Sequence, residues 1–116
     1  MRKLTLLAVM CALGRSATAD TADVLSDYVG YTIVAVKTIE GFVDSNKKKG
    51  DAFEGCEFDR VVVFTDGTGV TCRTYSYSYS YRPKAVLLAK QVSYQGQQLV
   101  LLKMIVNNNS YDVNAR

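Results

Sequence analysis

Val61-Val62-Val63-Phe64-Thr65-Asp66-Gly67-Thr68-Gly69-Val70-Thr71-Cys72-Arg73-Thr74-Tyr75-Ser76-Tyr77-Ser78-Tyr79-Ser80-Tyr81-Arg82-Pro83 is the stretch from which the fold is read. Its start belongs to a run at residues 58–65 that is dense in β-branched and aromatic residues, the composition of a strand. Asp66-Gly67 then supplies the positive-φ positions of a two-residue hairpin turn. The chain returns from Gly69 as a second strand. In this register Thr65 faces Thr68 and Cys72 faces Val61.

The second half alternates strictly between Tyr and Ser from Tyr75 to Tyr81, a period-two pattern that also reads as strand. All four tyrosines then share one face and the three serines the other. Val70 and Cys72 have the parity of the serines, so an unbroken strand turns the tyrosines away from that apolar pair. A bulge near Arg73 and Thr74 would swing them to the core. A straight strand from Gly69 to Tyr81 would span roughly 43 Å at ~3.3 Å per residue. A domain of ~100 residues has a radius of gyration of only about 13 Å, so a bend or bulge is expected inside the run. The expectation is a split row, with Tyr75 or Tyr77 in the core and Tyr79 and Tyr81 nearer the rim. The alternative is an exposed stripe of Tyr75, Tyr77, Tyr79 and Tyr81, flanked by Arg73 and Arg82, that binds sugar, peptide or another copy of the chain.

The N-terminus has the pattern of a secretory signal. Arg2 and Lys3 precede an apolar run at residues 4–13, and Ala17-Thr18-Ala19 is a small-x-small cleavage site. The expected organisation is a signal peptide at residues 1–19 and a single small β domain at residues 20–116. The apolar run is too short to span a bilayer, and no second long apolar run follows. Met10 before Cys11 does not suit a lipoprotein site. Periplasmic or extracellular bacterial secretion is the expected destination.

Cleavage also changes the charge. The chain has 14 basic and 11 acidic residues. Arg2, Lys3 and Arg15 leave with the signal while every acid stays, so the remainder is neutral and its charge balance does not point to nucleic acid. Lys47-Lys48-Lys49, the one basic cluster, has no interleaved aromatics and reads as a solvated loop.

Cys56 and Cys72 are left as an even pair in an exported chain, and a disulfide is the default. An unbroken hairpin would hold them about 16 Å apart along the strands, against a limit of about 7 Å between bridged Cα atoms. The expected resolution is that the strand starts near Phe58 and that Gly55 lets the preceding chain fold back over the hairpin.

Elsewhere, residues 22–29 read as a short helix stopped by Gly30. Residues 31–39 form a strand with apolar residues of both parities, so both its faces should be covered. Residues 41–55 read as a long loop. Its Asp44-Ser45-Asn46 start lacks the later ligands of a calcium loop. Pro83 precedes a buried strand at 85–89, and further strands follow at 99–106 and 111–113, separated by turns at 93–97 and 107–110. The pattern predicts a mainly β fold, a small antiparallel barrel or sandwich of five to six strands with a short N-terminal helix.

The chain has no histidine and no tryptophan, which removes Ser-His and Cys-His nucleophile pairs. Glu54, Glu57 and Asp59 are the one acidic cluster, expected to be solvated rather than a pair of catalytic carboxylates. No catalytic residue, cofactor or metal site is expected, and the chain is read as no enzyme.

Gly55-Cys56, then Val61 to Thr68, Cys72, and Tyr79-Ser80-Tyr81-Arg82-Pro83 together resemble small exported bacterial proteins of unknown function. The resemblance spans about 30 residues and implies a mainly β domain with no activity or site. The expected role is a disulfide-stapled binding or structural module whose partner is a protein or a cell-envelope glycan. A secreted inhibitor of another enzyme, acting through the 41–55 loop, is the alternative.

Overall fold

The computed structural model describes residues 21–116, so the expected signal peptide at residues 1–19 lies outside the described residues. The described residues open with a short helix, α1 (Thr21–Leu25), continued by a 3-10 turn (Ser26–Tyr28). Gly30 at φ +87° ends it, a conformation that glycine adopts without steric cost. Seven strands follow: β1 (Thr32–Val43), β2 (Lys49–Gly50), β3 (Val61–Phe64), β4 (Gly69–Cys72), β5 (Lys84–Tyr94), β6 (Gln97–Val106) and β7 (Asn109–Ala115).

Six of them close an antiparallel barrel in the order β1-β3-β4-β7-β6-β5 and back to β1, with β2 as an extra strand on β1. Closure depends on β1, which at 12 residues is long enough to serve two neighbours. Its first part pairs with β5, from Thr32 opposite Ala89 to Thr38 opposite Lys84. Its second part pairs with β3, from Ile39 opposite Phe64 to Val43 opposite Val61. The register shifts once in each part, between Ile33 and Ala35 and between Ile39 and Gly41. Such irregularities bend a strand and raise its twist, which brings the sheet round on itself. The mainly β expectation therefore resolves to a barrel. Its interior is filled by Ile39, Phe53, Val62, Phe64, Met104 and Tyr111 among others. Tyr111 meets Phe53 edge to face at 5.4 Å.

The β3–β4 hairpin is present, but its turn is one residue longer than Asp66-Gly67 alone. Phe64, not Thr65, faces Thr68, with the Phe64 amide donating to the Thr68 carbonyl at 2.8 Å and the Gly67 amide to the Phe64 carbonyl at 3.0 Å. Gly67 occupies the left-handed position at φ +89°, the arrangement of a three-residue hairpin loop. The register moves accordingly, and the Cys72 amide donates to the carbonyl of Arg60 rather than facing Val61.

Three strand boundaries also differ from the sequence reading. Residues 58–60 lie outside β3, with Asp59 at φ +68°. The segment read as a 41–55 loop contains the end of β1 and all of β2, where Phe42 faces Gly50 and Val43 faces Lys49. β5 and β6 run on past the barrel. β1 leaves β5 at Ala89, and β7 joins β6 only from Leu102, so the rungs from Lys90–Leu101 to Tyr94–Gln97 form a two-stranded arm. The outer face of β1 is less covered than expected, with Ile33, Val34 and Val36 exposed.

Candidate functional site

Cys56 and Cys72 are joined, with their Cα atoms 5.5 Å apart. The conflict between bond and hairpin is resolved by a matched break. Arg60 is the last residue opposite Cys72, and pairing resumes where Cys56 and Ser76 exchange backbone hydrogen bonds at 2.8 and 2.9 Å. Residues 57–59 and 73–75, three on each side, have no paired partner between these two points, although the Asp59 amide still donates to the Cys72 carbonyl at 3.3 Å. The fold-back at Gly55 takes this form. Residues 53–56 run under the tyrosine segment, and Phe53 and Ser80 exchange a second pair of hydrogen bonds at 2.9 Å. Two residues, Glu54 and Gly55, lie between these bridges on one side and three, residues 77–79, on the other. The tyrosine segment is thus bulged against Gly55. A Cβ on Gly55 would collide with the backbone of residues 76–78, and its φ is +80°.

The break falls where expected, but its consequence does not. Because both sides lose the same number of residues, the parity of the ladder survives, and the tyrosines stay opposite to Val70 and Cys72. All four rings are exposed: Tyr75 at 66%, Tyr77 at 68%, Tyr79 at 58% and Tyr81 at 64%. The split row, with Tyr75 or Tyr77 in the core, is therefore corrected to a fully exposed row. Arg73 and Arg82 at its two ends are exposed as well. The Arg73 amide donates to the Asp112 carbonyl at 3.0 Å. The Arg82 guanidinium lies 5.5 Å from the Tyr81 ring centroid, and its Nε donates to the Asp51 carbonyl at 3.3 Å. Beside Arg82 is a recess of about 210 Å³ with Glu40, Lys49 and Asp51 on its walls.

The row rests on a buried arginine that the sequence reading passed over. Arg60 is 3% exposed. Its Nη1 donates to the Glu54 carbonyl at 3.1 Å and its Nη2 pairs with Glu57 at 3.1 Å. Burial works against the charge, but the hydrogen bond and charge of Asp44 outweigh it and raise the pKa above the ordinary arginine value. Arg60 thereby fastens the end of β1 to the segment beneath the tyrosines. Of the acidic cluster, Glu57 serves this pair, and Glu57 and Asp59 are exposed. Lys47 and Lys48 lie on an exposed turn leading into β2, and Lys49 is the exposed first residue of that strand. Among the described residues no group of three or more His, Cys, Asp or Glu side chains is placed to hold a metal ion, and no helix is long and apolar enough to cross a membrane.

Fold and site define a small antiparallel β-barrel stapled by one disulfide, and such a bond is compatible with an oxidising, exported location. Comparison with protein-family models, with curated proteins and with solved structures returns no match.

Proposed function

We propose that this chain is an exported binding module that holds an extended glycan of the cell envelope along Tyr75, Tyr77, Tyr79 and Tyr81. The observation that carries the reading is the exposure of all four rings on one backbone segment, a segment tied down at Ser76 and Ser80. Exposed aromatics in a contiguous group mark interaction surfaces. The row extends about 20 Å at ~3.3 Å per residue, suited to a polymer rather than a single sugar. Flat rings stack on sugar faces, and Arg73 and Arg82 add hydrogen-bond donors at the ends. Pinning the backbone before binding lowers the entropic cost of association.

The module acts by binding and not by catalysis in this reading. An inhibitor would use a rigid projecting loop, and the segment first read as that loop is instead committed to β1, β2 and the chain under the tyrosines. A fluorescence titration of the tyrosines with soluble cell-wall fragments tests the proposal. A saturable change is expected, and no change at millimolar ligand would contradict it. Recovery of one stoichiometric protein from a periplasmic extract would replace the glycan with a protein partner.

A further inference from the structure

A second feature lies on the outer face of the barrel and shares no residue with the tyrosine row. Across β5 and β6, Val86 faces Ile105, Leu88 faces Lys103, and Lys90 faces Leu101. On the other side, Val36 and Ile33 of β1 face Val86 and Leu88. Alternation along β5 puts Val86, Leu88 and Lys90 opposite to the core residues Ala85 and Leu87. Leu25, Tyr28 and Tyr31 lie over this surface. They form one wall of a groove of about 340 Å³ whose floor is Ile33, Val86, Leu88 and Ile105.

Polarity is graded along this surface of β5 and β6. The Val86–Ile105 rung is apolar, and the next two rungs bring in Lys103 and Lys90. Their ammonium groups lie 5.8 and 5.6 Å from the Tyr31 ring centroid. Lys103 is paired with Asp112 at 2.8 Å. Among the described residues Lys90 has the Tyr31 ring and no carboxylate partner, and its stem passes Gly30 so closely that a Cβ there would lie 3.1 Å from Cε. A cation with no carboxylate partner therefore lies against Tyr31, one wall residue of the groove, and the lining away from it is hydrocarbon.

That arrangement is complementary to an anionic amphiphile with a single apolar tail. The volume is near the lower end of the ~300–1,000 Å³ of small-molecule sites, which suits one alkyl chain and not a two-chain lipid. We infer that this groove binds a medium-chain fatty carboxylate. The chain lies on Ile33, Val86, Leu88 and Ile105, and the carboxylate meets Lys90 beside the Tyr31 ring. The inference does not rest on the glycan reading, and either can fail alone.

The test is a titration of the purified protein with 11-(dansylamino)undecanoic acid, followed by displacement. A saturable rise in dansyl fluorescence with one site per chain is expected, reversed by dodecanoate and not by dodecyltrimethylammonium. Lys90→Glu should weaken binding by about tenfold or more, the scale of a lost charge-assisted hydrogen bond. Ile33→Glu should abolish binding while the protein stays folded, because Ile33 is 65% exposed. Lys48→Glu, on the distant β2 turn, should bind as the parent does. If Lys90→Glu does not fold by circular dichroism, Lys90→Gln takes its place. Equal displacement by the cationic amphiphile, or undiminished affinity in the Lys90 variant, would overturn the inference. So would a dimer in light scattering that Ile33→Glu dissolves, since a second copy would then cover the groove.

Discussion

The Arg60 guanidinium closes on the Asp44 carboxylate as a fork, Nε to Oδ1 at 2.5 Å and Nη2 to Oδ2 at 3.0 Å. On its other side it lies 4.1 Å from the centroid of the Phe42 ring. The side chains of Arg60 and Asp44 are only 4% and 12% exposed, so water does little to screen the pair. Removing Asp44 would leave the buried guanidinium with only the half-exposed carboxylate of Glu57 as a charged partner. Asp44→Ala is therefore expected to lose about 3–5 kcal/mol of stability, the range for breaking a buried pair. The double variant Asp44→Ala/Arg60→Met should be more stable than Asp44→Ala alone, because the stranded cation is gone. Urea unfolding of both proteins checks the order.

The disulfide closes a loop with a sequence separation of 16. Constraining the unfolded chain by a loop of this size contributes about 3 kcal/mol. Cys56→Ala/Cys72→Ala should unfold at correspondingly lower urea. Intact mass before and after reduction should differ by two hydrogens.

Gly67 has open space where a Cβ would go, so any penalty there comes from its φ of +89° and not from a clash. Gly67→Val should cost more than about 1 kcal/mol, and Gly67→Asn, whose side chain tolerates this region, clearly less. Equal melting temperatures for the two would mean that the turn does not need the left-handed residue.

Asp66 accepts from the Thr68 hydroxyl and amide at 2.6 and 3.0 Å and pairs with Lys37 at 2.9 Å. Led by the Thr68 hydrogen bonds, these hold its carboxyl well below the usual carboxylate range. A folded pKa below the unfolded value of ~3.9 contributes stability that is present above that value and is lost as pH falls below it. The effect is small because the group is at the surface. Melting temperatures from pH 6 down to pH 2 should fall less steeply in Asp66→Asn than in the parent.

Much of the barrel is legible along the chain because it depends on local signals. β-branched runs, Asp66-Gly67, Gln95-Gly96 and the asparagines at 107–109 mark strands and turns whatever surrounds them. The disulfide follows from an even cysteine count. What escapes is set by distant partners. Period two shows that the tyrosines share a face but not which face, and the answer depends on equal excursions at residues 57–59 and 73–75. Arg60 looks like an ordinary strand-edge arginine until Asp44, sixteen positions earlier, closes on it. The polar residues around Asp44-Lys49 read as loop, yet β2 pairs there with Phe42 and Val43. The groove over β5 escapes because apolar residues of both parities look like a strand covered on both sides.

The most direct test of the tyrosine row as a recognition surface is Tyr77→Ser/Tyr79→Ser, measured for both thermal unfolding and glycan binding. Both rings are exposed, and surface substitutions usually change stability by no more than about 0.5 kcal/mol each. The account predicts a double variant that melts close to the parent temperature and has lost the fluorescence response to cell-wall fragments. A loss of several kcal/mol, on the scale of ~3–5 kcal/mol for each buried aromatic removed, would mean that the rings are core. A stable variant that still binds would place recognition elsewhere. Either result would contradict the account.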